Sequence, residues 1–142
     1  DMLEVWCSQE CNRDSFPPIL VNISDGVPSD ITENLLSISN YIKSISTNDG
    51  NVLFVNVHIG SSDDVESLIM PNIEEIDIAN SDARLLARMS SVIPVNMERG
   101  AETIRCTFNN PPYVAMGYNT SPVELISMLR IGSRSVGWVD SI

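Results

Sequence analysis

A chain of 142 residues, 43% of them hydrophobic, is sized for one domain with a real core, which argues against wholesale disorder. Nineteen acidic residues against eight basic ones leave a formal net charge of −11, a surface that repels phosphate backbones and anionic head groups, so nucleic acid is not an expected partner. No apolar run approaches the roughly 18 residues needed to span a bilayer, no signal-peptide pattern opens the sequence, and three cysteines are too few for a disulfide framework. The expectation is therefore no membrane insertion and a cytoplasmic location.

In chain order, residues 2–11 place Leu3, Trp6 and Cys7 at helical spacing, which predicts the end of an amphipathic helix, halted by Pro17 and Pro18. Residues 19–23 form a short apolar run bounded by turn residues, the pattern of a strand buried on both faces. Asp30 is expected to cap the next helix, with Glu33 three residues on as its capping-box partner. That helix carries Ile31, Leu35, Ile38, Ile42 and Ile45, spaced as one continuous apolar stripe. Asn48-Asp49-Gly50 supplies turn chemistry, and residues 52–59, rich in β-branched and aromatic side chains, predict a second buried strand.

The middle of the chain is less regular. Residues 60–64 suggest a solvated loop and residues 71–77 an acidic connection. Residues 81–91 predict a helix with Ala83, Leu86 and Met89 or Ser90 facing inward, limited by Pro94; residues 95–105 suggest another, weakened by Gly100. Residues 113–118 are a third strand candidate. Ser121, Pro122 and Glu124 then provide the cap, first-turn proline and third-position glutamate of a helix running to about Ile131, with Gly132 at its C-terminal cap. The tail 133–142 shows no period. Strands alternating with helices predict an α/β fold, a Rossmann-like three-layer parallel sheet with helices on both faces, and a single unit over 1–142.

Ligands of open parallel sheets gather at the carboxyl ends of the strands. The first strand ends at Ser24-Asp25-Gly26, where Asp25 offers an anionic oxygen and Ser24 a neutral one, both suited to Mg²⁺. Gly26 permits a turn tight enough to present them. Asp30 stands a few residues away, as a supporting group behind such ligands or simply as a helix cap; Asp25-Gly26 also fits a plain turn.

With these residues in view, ILVNISDGVPSD over 19–30 resembles the fourth strand and third metal loop of von Willebrand factor A-type domains. NDGNVLFVNVHIGSS, LLARMSSVIP and ELISMLRIGSR extend the resemblance, to a bacterial subgroup, over roughly residues 3–134. It implies a Rossmann-like sheet, a protein-interaction role and a metal-ion-dependent adhesion site built by three loops, with an acidic group of a protein partner completing the Mg²⁺ coordination. Only the third loop is matched here, so Asp25 inherits the ligand role and Ser24 and Gly26 the loop geometry. No Asp-x-Ser-x-Ser occurs in the sequence. The strand that would precede it is missing, so this would be a partial fold with an apolar sheet edge beside residues 19–23. Completion would come from the N-terminal half of the same domain, from a second chain, or from two copies joined edge to edge. Mg²⁺ would bind only with the missing loops supplied.

A rival from another class is a Mg²⁺-dependent phosphoryl-transfer enzyme using Asp25 and Asp30, but no D-x-D follows an apolar run and no nucleotide-binding glycine motif is present. A fragment with no activity of its own is the third reading. His58, the single histidine, is expected to be a hydrogen-bonded structural residue, since no G-x-S-x-G elbow accompanies it. Cys7 and Cys11, in C-x3-C spacing with no second pair, are expected to be buried thiols, Trp6 and Trp138 packing residues, and the Asn22 and Asn119 triplets unglycosylated.

Overall fold

The computed structural model describes residues 2–25, 32–105 and 110–137, with 131–137 as backbone only. The four-stranded sheet contains β1 (Ile19–Ser24), β4 (Leu53–Ile59), β6 (Met116–Thr120) and β5 (Leu68–Ile69), in that spatial order. β1 pairs in parallel with β4, and β4 in parallel with β6. β5 pairs antiparallel with β6, so the sheet is mixed rather than all-parallel. Two residues form β5, too few to carry any period, which is why the sequence pattern passes over it. A separate hairpin, β2 (Ser46–Thr47) with β3 (Gly50–Asn51), closes around the predicted Asn48-Asp49 turn.

One face of the sheet is covered by α1 (Met2–Ser8), α2 (Thr32–Ser44) and α4 (Ser81–Met89). Cys7, Ile45 and Val52 form one apolar cluster there with Leu3, Leu20 and Ile42, and Ala83, Leu86, Val114, Met116 and Tyr118 form another. The opposite face holds α5 (Glu98–Arg105), entered through a 3-10 turn over Val95–Met97, and α6 (Pro122–Gly137). Met97, Ala101 and Met128 pack there against Leu53, Val55 and Val57. The architecture is α/β with helices on both faces, compatible with a Rossmann-like arrangement.

Local signals account for several elements. Ala83, Leu86 and Met89 are the buried residues of α4, as their spacing predicts. Ser121 and Glu124 cap α6 reciprocally, Glu124 N–H donating to Ser121 Oγ and Ser121 N–H to Glu124 Oε1. Gly132 does not end α6, which continues to Gly137; an interior glycine costs only about 1 kcal/mol, too little to stop a helix. Residues 71–77 are not merely a connection. Asn72 and Glu75 build a capping box on α3 (Ile73–Asp77), whose one turn and a half is too short to show periodicity. The predicted stripe of α2 is also wider than the contact it makes. Ile38 is 59% exposed, and Ser39 is buried instead, its hydroxyl donating to Leu35 O. Ile31 and the Asp30 cap lie outside the described residues.

β1 departs most from expectation. The apolar run 19–23 predicts a strand buried on both faces, yet Ile23 is 49% exposed while Val57, its register partner on β4, is 1% exposed. The reason is position: β1 stands at the sheet's edge, with β4 as its only strand neighbour among the described residues.

Candidate functional site

Because β1, β4 and β6 run parallel, their carboxyl ends share one rim. Ser24 and Asp25 reach it from β1, His58 to Ser62 from β4, and Asn119 to Ser121 from β6. Ser24 is half-buried and in register with His58, and Asp25 is exposed at the strand's end. Gly26 and Asp30 lie outside the described residues.

Asn119 organises this rim. Its backbone adopts the left-handed conformation, φ 53°, and it is 9% exposed, a geometry asparagine tolerates better than most residues. The side chain lies against the loop that follows β4: Oδ1 accepts from Ser62 N–H at 3.2 Å, and Nδ2 donates to Ser62 O and Val65 O, both at 2.9 Å. Its own N–H donates to His58 Nδ1 at 3.1 Å. Gly60 sits so close that a Cβ there would collide with Asn119 Oδ1. A buried amide thus holds the start of the 60–65 loop in one shape, with Asp63 and Asp64 exposed on it.

His58 is the structural residue expected. Its Nδ1 accepts from Asn119, its ring stacks on Tyr118 with centroids 4.8 Å apart, and its carbonyl accepts from Thr120 Oγ1. An acceptor Nδ1 leaves the ring proton on Nε2 in the neutral imidazole. Ser90 and Ser91, in the turn after α4, also serve structure. Ser90 Oγ accepts from the buried Asn56 Nδ2, whose Oδ1 accepts from Asn22 Nδ2; Ser91 Oγ accepts from Phe54 N–H.

Among the described residues, no three His, Cys, Asp or Glu side chains come together in a way that could hold a metal ion. Ser24 and Asp25 offer two oxygens where Mg²⁺ takes six ligands, so the described residues do not by themselves fit that ion. Cys7 is buried, as expected, but Cys11 is exposed; both are thiols outside any disulfide.

Away from the rim, a cleft of about 520 Å³ opens between the 64–67 loop, β5, α3 and α4, lined in part by Asp64, Glu66, Glu75, Asn80 and Tyr118. Arg105 closes its floor. The guanidinium pairs with Glu75 at 2.8 Å, donates to Met70 O and lies 4.5 Å over the Tyr113 ring. Burial and the hydrogen bond to Glu102 raise the Tyr113 pKa above its ordinary value. Sequence reading identified neither Asn119 nor Arg105 as an organising residue. Asn119 bonds to residues more than fifty positions away, and Arg105 to Met70 and Glu75, thirty-five and thirty positions away, a relation no local pattern carries.

No helix among the described residues is long and apolar enough to cross a membrane. Comparisons with protein-family models, curated proteins and solved structures return no significant match to the chain.

Proposed function

We propose that this chain is a non-enzymatic protein-interaction module of the von Willebrand factor A type, completed along β1 by a polypeptide segment outside the described residues. The observation that carries the reading is the edge position of β1. A strand with six consecutive residues in parallel register with β4 has no strand on its other side among the described residues, and its Ile23 remains half exposed. Such an edge is a template for pairing. Its carboxyl end presents Ser24 and Asp25 at the seam where a neighbouring strand would end. These two would contribute to a Mg²⁺ site whose remaining ligands come from the completing segment, the N-terminal half of such a domain or a second chain.

The test is stoichiometry and metal binding on the native particle. Intact mass should reveal a completing polypeptide that carries Asp-x-Ser-x-Ser, and Mg²⁺ titration of that particle should lose its binding heat with Asp25→Ala. A stable, soluble particle of this chain alone, or unchanged Mg²⁺ binding in the variant, refutes the proposal.

A further inference from the structure

The face of the sheet that α6 covers stops short of β1. Side chains alternate along a strand, so Ile23 lies on the same face as Ile19 and Val21, which pack with the cluster beneath α6. Across the register, Leu53, Val55 and Val57 are 4%, 6% and 1% exposed, whereas Ile23 is 49% exposed. The cover ends between β4 and β1.

The flanks of α6 show the same boundary. Leu125 and Met128 face the sheet. Glu124, on one flank, accepts from Ser67 Oγ at 3.1 Å, immediately before β5. α5 packs against α6 and reaches Met70 beyond β5 through Arg105. The β5 side of α6 is therefore occupied. At roughly 100° per residue, Leu129 and Ile126 fall on the other flank, toward β1. They are 47% and 57% exposed. Two half-exposed apolar rows, one on β1 and one on α6, thus border a trough with no helix in it among the described residues.

We propose that this trough seats a helix of the same polypeptide that supplies the strand beside β1, so that the partner is a strand-plus-helix unit. This rests on the edge-completion reading above. A second copy does not fit. α6 packs over both β4 and β6, so with strands about 4.8 Å apart, two copies paired through β1 would hold their α6 axes roughly 19 Å apart. That is twice the helix-contact distance of about 10 Å, and a helix-wide gap would remain. A single helix at contact distance from α6 sits instead over the seam between β1 and the added strand, where it covers both. Parallel strands require such cover on both faces. The net charge of −11 further opposes pairing of copies and favours a partner helix with an apolar inner face and basic margins.

The test is site-specific photocrosslinking in the cells that make the protein, with a benzophenone amino acid at Ile23 in one variant and at Ile126 in another, and the crosslinked peptides sequenced. The expected result is one polypeptide captured at both sites: at Ile23, which borders both the added strand and the trough, its strand-forming or helical segment, and at Ile126 its amphipathic helical segment. In addition, Ile126→Asp with Leu129→Asp should cut the yield of the Ile23 crosslink about ten-fold or more, with the far-ultraviolet circular dichroism unchanged. A strand partner at Ile23 with nothing, or a different polypeptide, at Ile126 overturns the strand-plus-helix inference and leaves edge completion standing. A second copy captured at both sites, or no capture at either, overturns both.

Discussion

Replacing Asn119 by alanine removes three side-chain hydrogen bonds to the 60–65 loop and places a Cβ-bearing residue without a polar side chain at φ 53°. Each hydrogen bond contributes about 1 kcal/mol net, and alanine in the left-handed region costs about 1 kcal/mol more. Ser62 is exposed, so water takes over part of what is lost, and the expected destabilisation is about 2–3 kcal/mol rather than the full sum of about 4. In a chain of this size that corresponds to a fall in Tm of about 6–10 °C. Asn119→Gly removes the same bonds without the backbone strain, so it should be about 1 kcal/mol more stable than Asn119→Ala. Asn119→Asp keeps the acceptor for Ser62 N–H but turns an oxygen toward Ser62 O and Val65 O, and should be the least stable of the three. Urea unfolding followed by circular dichroism ranks them, and amide hydrogen exchange of residues 60–65 reports the loop directly. An alanine variant within about 0.5 kcal/mol of wild type, or one more stable than the glycine variant, refutes the role assigned to this side chain.

Gly60→Ala should reproduce much of the Asn119→Ala loss, because the new methyl group displaces Asn119 Oδ1; the double variant should then fall short of the sum of the singles in urea melts. Tyr113, whose pKa is raised chiefly by burial, favours its neutral form in the folded state. Its contribution is complete below the ordinary tyrosine value of about 10 and is lost as pH rises through the raised folded value. Tyr113→Phe should flatten that alkaline fall in stability, while costing about 1 kcal/mol near neutral pH for the lost Glu102 hydrogen bond. Lys43, whose pKa burial lowers, contributes the opposite slope, stability rising with pH between its folded and unfolded values. The difference between wild type and the phenylalanine variant in pH-resolved thermal melts isolates the tyrosine.

The sequence by itself determined what rests on local spacing. β4 is legible because five of its seven residues, Leu53, Phe54, Val55, Val57 and Ile59, are apolar and three of these are β-branched, a pattern that needs no distant partner to be recognised as a buried strand. The inward face of α4 and the cap of α6 follow from periods and side-chain bonds within a few residues. Asp25 was likewise legible as the residue at the carboxyl end of β1. Only the tertiary structure decided features set by neighbours far along the chain. The apolar run of β1 promised burial on both faces, but an edge position leaves Ile23 half open. The stripe of α2 promised five inward residues, but the helix turns Ser39 to the interior and leaves Ile38 outside. β5 and α3 exist because β6 and the Asn72 cap hold them, not because their own few residues demand it. Asn119 read as a glycosylation triplet, yet its left-handed backbone and buried amide make it the hub of the rim. Hydrogen bonds that span more than fifty residues have no period to leave in a sequence.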